Sequence, residues 1–252
     1  MNPGPPPLGL YSIGVRDFQP SRHLPWARAN GIPFVHLRAG VRGLHISRRD
    51  DDQMSAWRDV ADRTVPITAV TTDVELADLL HADATALAEV RTSALRGERL
   101  GARSVRLLAT EIPETWAARI GPPEVPARGR LLVELHAPGW FTPDGIDAAL
   151  RLADSHPRVS LLVDTLQFSR HAQDATPESA RRLVTAAAVV HLSDDGSGLA
   201  EPGHRLVVDA LREAMRRGAR PELAFEWTGP DRSATACLDR YRRAVTWTEK
   251  IW

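Results

Sequence analysis

Four side chains of kinds that bind divalent cations stand at the ends of four apolar runs. Leu131-Leu132-Val133 runs into Glu134, Leu161-Leu162-Val163 into Asp164, Val189-Val190 into His191, and Leu223-Ala224-Phe225 into Glu226. An apolar run that breaks into polar residues reads as a buried parallel strand carrying functional groups at its mouth. The runs recur at roughly one βα unit, about 30 residues. Three carboxylates and an imidazole suit one divalent ion such as Mn, Mg, Co or Zn better than a soft one. A single glutamate at a strand end is explained as well by solvation or an ion pair. Four such residues at successive strand ends are not.

The rest of the chain reads as the scaffold that brings these ends together. Residues 1–7, rich in proline, read as a flexible tail, and the folded domain as 8–252. Further strands are expected at Leu8–Ile13, Pro33–Arg38, Val65–Val70 and Ser104–Leu108. Helices are expected over Pro20–Asn30, Asp51–Asp62, Asp73–Leu100 (one or two), Pro143–Ser155, Ala180–Ala187, His204–Arg217 and Arg232–Ile251. Gly31, Gly101 and Gly218 stop three of these. Between strands four and five, Pro113, Pro122, Pro123 and Pro126 leave room only for a short helix near Thr115–Ile120. Eight strand–helix units predict an α/β fold, a single (β/α)8 TIM barrel with a shortened fourth crossover. No G-x-G-x-x-G fingerprint follows the first strand, which counts against a doubly wound nucleotide fold.

Composition excludes several classes of function. The 32 basic and 32 acidic residues cancel, so no bulk charge grips nucleic acid. Cys237 is the single cysteine, which leaves no disulfide framework or thiolate cluster. The N-terminus lacks a signal peptide's basic start and apolar run, and no segment reaches the ~20 apolar residues of a membrane span. A soluble, cytoplasmic protein acting on a small molecule is expected, without nucleic-acid or membrane partners. Trp247 and Trp252 on the last helix either seal a homodimer or cover the barrel wall.

The order Glu134, Asp164, His191, Glu226 on strands five to eight resembles the xylose-isomerase-like barrels, the sugar phosphate isomerases and epimerases. Val133-Glu134-Leu135-His136, Asp164-Thr165, His191-Leu192-Ser193-Asp194 and Leu100-Gly101-Ala102 before strand four carry the resemblance over nearly the whole chain. It implies one divalent metal held by Glu134, Asp164, His191 and Glu226. It also implies that Glu134 and Glu226 remove and return a proton beside a carbonyl, through a metal-stabilised enediolate. The reaction implied is isomerisation or epimerisation of a small polyhydroxy carbonyl compound.

Two departures bear on the reaction. The family's histidine three residues after the strand-six aspartate is Gln167 here, which can hydrogen-bond but cannot move a proton. The arginine usual after the strand-seven histidine is missing from Leu192-Ser193-Asp194-Asp195-Gly196-Ser197. A metal-dependent dehydratase or lyase is therefore the alternative, and a binding barrel without chemistry a third reading. Candidate substrate contacts are His136, two residues past Glu134; Gln167; Trp140 and Trp227, which follow ligand strands; His204, in the stretch resembling a substrate-side loop; and Arg38. Each has a plainer reading, the aromatics as core packing and His136 as a loop contact. Arg38 and Arg106 clamp a substrate carboxylate or phosphate if they face the barrel, and otherwise face solvent.

Overall fold

The structure is a computed structural model that describes residues 4–16, 18–112, 129–172 and 176–252. Eight parallel strands close into a barrel in chain order: β1 (Leu8–Tyr11), β2 (Val35–Arg38), β3 (Ile67–Glu75), β4 (Ser104–Ala109), β5 (Arg130–Leu135), β6 (Val159–Asp164), β7 (Ala187–Asp194) and β8 (Glu222–Trp227). This is the (β/α)8 architecture that the sequence predicts. The helices are α1 (Pro20–Ala29), α2 (Asp51–Arg63), α3 (Leu76–Leu80), α4 (Ala84–Leu100), α5 (Pro143–Asp154), α6 (Thr165–His171), α7 (Pro177–Thr185), α8 (Pro202–Arg216) and α9 (Ala234–Ile251). The expected short helix near Thr115–Ile120 lies outside the described residues.

Apolar residues alternate between two destinations because successive strand side chains point to opposite faces. One set packs outward against the helices, as with Val133, Val163, Val190 and Phe225. The inward set begins with a small apolar plug of Ala69, Leu132, Leu162 and Val189. Two residues further along the same strands stand Thr71, Glu134, Asp164 and His191. The polar layer therefore sits directly above the plug, at the face where strands of this fold deliver their functional groups. Strand register completes the layer: Asp164 is level with His191, His191 with Ala224, and Ser193 with Glu226.

Local sequence explains most element ends. Asp50 accepts a hydrogen bond from the Gln53 amide to start α2, and Thr176 with Ser179 forms a capping box on α7. Gly101 ends α4 with φ +94°, a conformation that costs glycine no Cβ clash. Three elements depart from expectation. β3 runs past Val70 to Glu75 across a register shift, because Thr71 and Thr72 continue the alternation instead of starting a loop. β7 continues to Asp194 and so carries Ser193 into the barrel. α6 follows β6 at once, nucleated by Asp164, whose Oδ1 accepts from the Leu166 and Gln167 amides, each at 2.8 Å. Among the described residues, no helix is long and apolar enough to cross a membrane.

Candidate metal centre

Glu134, Asp164, His191 and Glu226 come together inside the mouth of the barrel. One donor atom from each can be chosen so that all four lie within 4.8 Å of one another. All four residues are buried. Three carboxylates so close, away from water, cannot all hold full charge without compensation.

The compensation is uneven. Burial and the charges of Glu226 and Glu134 push the Asp164 carboxyl up to about 7. Burial and the Glu134 charge likewise push Glu226 up to about 7. Burial also works against the Glu134 charge, but the Arg106 guanidinium outweighs it, with help from His136, and Glu134 is held at about 2. Arg106 Nε lies 2.9 Å from Glu134 Oε2, and His136 Nε2 lies 3.2 Å from Oε1. Neither contact has hydrogen-bond alignment, so Glu134 Oε2, Arg106 Nε and His136 Nε2 are buried without a hydrogen-bond partner. Arg106 also donates to Thr72 O at 2.9 Å and to the Tyr11 hydroxyl at 3.0 Å. Ser193 Oγ donates to Asp164 Oδ2.

A second chain of contacts orients His191. Its Nε2 lies 3.0 Å from His36 Nδ1, and His36 Nε2 lies 3.0 Å from Glu222 Oε2, which also accepts from Thr68 Oγ1 at 2.8 Å. Burial lowers both imidazoles' proton affinity, which favours the neutral form of each ring. The ionised Glu222 must accept from His36 Nε2–H. That leaves His36 Nδ1 as an acceptor, and His191 must then carry its proton on Nε2. The free lone pair of His191 Nδ1 thus faces Glu226 Oε2, 2.9 Å away. Two acceptors approach that closely only with a proton between them, in keeping with the raised Glu226 carboxyl. A divalent cation in the same place would replace that proton and satisfy the unpartnered Glu134 oxygen. The donor set, its crowding and its unused polar atoms therefore fit a metal ion.

The candidate substrate contacts fare differently. His136 lies against Glu134, and Gln167 is half-buried in the first turn of α6, with its amide on Asp164. Arg38 ends β2 half-buried, its amide donating to Ser12 Oγ at 2.8 Å. Trp140, Trp227 and His204 are buried, each with a partner of its own. Trp140 is fully buried and gives its indole N–H to Ala109 O at 2.9 Å, which ties the loop after β5 to β4. Trp227 is buried, donates to Asp231 O at 2.6 Å and lies 5.0 Å beneath Arg240. His204 is buried with Nδ1 2.8 Å from Thr165 Oγ1, which also accepts from the Ser193 amide. An aromatic residue just past a strand packs the barrel wall as readily as it lines the mouth. Sequence reasoning left Arg106 open and missed Tyr11 and Glu222. The signal for Arg106 and Tyr11 was parity, since each takes the inward position on its strand.

No family model matches the chain, and no curated protein matches it in sequence. Solved structures share its fold over nearly its whole length, among them proteins described as xylose isomerase domain proteins. A zinc-bound structure of the IolI protein matches with TM-score 0.70 and 13% identity, covering 97% of this chain and 99% of the other. The D-psicose 3-epimerase of Clostridium cellulolyticum H10 matches with TM-score 0.70 and 11% identity, covering 96% and 98%. The probable 3-DHS dehydratase AsbF of Bacillus anthracis matches with TM-score 0.63 and 15% identity, covering 95% and 98%. The chain has the xylose-isomerase-like barrel fold. At such identities the likeness is one of fold alone.

Two predictions follow from this geometry. A carboxyl whose folded pKa is raised contributes stability below its unfolded pKa, about 4, and loses that contribution as pH rises through about 7. Chelator-treated protein is therefore expected to lose the stability due to Asp164 and Glu226 over that window. Added Mn2+ or Zn2+ should raise Tm more at about pH 8 than at about pH 5.5, since fewer protons must be displaced. An equal rise at both values would show that these carboxyls do not take up the ion. Replacing His36 by Leu frees the His191 ring to flip or change tautomer. Metal affinity, read by competition with a chromogenic chelator, is expected to fall ~10–100-fold, and unchanged affinity would remove His36 from this role.

Proposed function

We propose that the protein is a divalent-metal-dependent isomerase or epimerase acting on a small polyhydroxy carbonyl compound. The observation that carries this reading is the buried convergence of Glu134, Asp164, His191 and Glu226, two of whose carboxyls hold protons near neutral pH. When bound, a divalent cation supplies Lewis acidity to adjacent substrate oxygens and acidifies the carbon-bound proton beside the carbonyl. Once a cation has displaced its own proton, Glu226 is the residue suited to take the substrate's, since among the described residues no arginine lies within ion-pair distance of it. Glu134 is less basic because Arg106 lies 2.9 Å from it, and that neighbour stays beside it when other charges change. His136, touching Glu134, is placed to hydrogen-bond a substrate oxygen. His36 and Glu222 hold His191 in one tautomer, and the apolar plug below excludes water from the floor of the site. The fold shared with an epimerase of known name supports the assignment without specifying the substrate.

Gln167 favours a second reading. A neutral amide where the family has a histidine weakens proton delivery at that side of the substrate, and loss of a β-hydroxyl would then compete with reprotonation. A metal-dependent dehydratase is the result, and the likeness to AsbF is in keeping with it.

Incubation with keto-sugars and inositol-like ketones in D2O separates the readings. Isomerase or epimerase action predicts deuterium wash-in beside the carbonyl, reduced ~100-fold or more in Glu226→Gln. Loss of water by mass identifies the dehydratase. Metal-loaded protein that does neither across the panel would refute the enzymatic reading for this substrate class.

A further inference from the structure

A second polar site adjoins the metal centre on the same face of the barrel. A cavity of about 380 Å³ opens beside the ends of β1 and β2, lined among others by Ser12, Ile13, Arg16, Gln19, Arg38 and Arg42. Ser12 follows Tyr11, whose ring centroid lies 5.1 Å from that of His191, so the cavity begins one residue from the metal centre. Arg232, between β8 and α9, lies next to this lining and is bonded to two of its residues. Its backbone carbonyl accepts from the Arg16 amide at 3.1 Å, and its guanidinium reaches Ile13 O at 3.4 Å.

The charges in this corner are unbalanced. Arg42 is committed to Asp73, with an ion pair at 2.9 Å and a backbone contact at 2.8 Å. Arg232 is half-buried and donates only to carbonyls, those of Ile13, Thr228 and Gly229. Among the described residues, neither Arg16, Arg38 nor Arg232 has a carboxylate within ion-pair distance. Their mutual effect is physical: burial, Arg16 and Arg38 all lower the proton affinity of Arg232. Three like charges gathered at one corner of the barrel mouth, two of them lining the cavity, cost free energy unless an anion joins them. Arg38 is held there by packing. A side chain at Gly43 would stand 2.4 Å from the Arg38 carbonyl and 2.7 Å from its Cγ, so only glycine lets that loop lie along the arginine stem.

We propose that this cavity binds an oxyanion, a carboxylate or phosphate group carried by the substrate, through Arg38, Arg232 and Arg16. Guanidinium forks match the planar or tetrahedral oxygens of these groups and suit them better than a neutral sugar hydroxyl. The proposal rests on the functional reading above and sharpens it. One end of the substrate lies on the metal centre. The other, a few bonds away, carries the negative charge.

Isothermal titration calorimetry at fixed ionic strength tests this with inorganic phosphate and with D-glycerate, on chelator-treated and on metal-loaded protein. Saturable one-to-one binding of at least one probe is expected in both forms. Affinity should fall tenfold or more in Arg38→Gln and in Arg232→Gln, and partly recover in Arg38→Lys. Thermal melts check that each variant folds, and elemental analysis checks that metal content is unchanged. Preference for phosphate assigns a phosphate monoester, and preference for glycerate a carboxylate. No saturable binding, or binding that is equal in Arg38→Gln, overturns the proposal; equal binding confined to the metal-loaded form would place the anion on the metal. Anion binding in a protein that takes up no metal would sink the functional reading and leave this site standing.

Discussion

Everything at the mouth of this barrel depends on keeping three carboxylates and an imidazole together away from water. Each buried charge forfeits hydration worth several kcal/mol, and like charges at this range repel further. The protein offsets this without a cation in three ways. Arg106 balances Glu134, the α6 amides and Ser193 hydroxyl bond Asp164, and protons remain on Asp164 and Glu226 near neutral pH. A cluster that retains protons where carboxylic acids are ordinarily ionised is poised to exchange them for a metal ion.

The barrel makes that crowding affordable. The plug of Ala69, Leu132, Leu162 and Val189 closes the floor, and strand period carries the polar residues into the layer above it. Each strand then contributes a different element of control. Arg106, itself bonded to the Tyr11 hydroxyl, holds Glu134 from one side, while His36 and Glu222 fix His191 from beneath. Removing any one of these would leave the four converging residues in sequence but alter their charge or aim.

Much of this was legible in the sequence, for reasons that differ by residue. Apolar runs breaking into Glu134, Asp164, His191 and Glu226 announced both the strands and the residues that converge at their ends, because burial on two faces leaves a continuous apolar signal. For Trp140, Trp227 and His204 the sequence left the orientation open, because position after a strand does not say which way a ring turns. That is set by partners such as Ala109 O, Asp231 O and Thr165 Oγ1, remote or unremarkable in sequence. Arg106 could not be assigned for the same reason: its role depends on Glu134 being its barrel neighbour, which only strand register fixes. The His191–His36–Glu222 chain joins residues 155 and 186 positions apart and leaves no local trace.

The central claim is that these four residues form a metal site, and metal content tests it most directly. Protein purified without chelator is compared with Asp164→Ala and His191→Ala by elemental mass spectrometry, with circular dichroism to confirm folding. The account predicts close to one Mn, Co, Zn or Mg ion per chain in the original protein and little in either folded variant. Substoichiometric metal in all three, persisting after incubation with each ion, would contradict it.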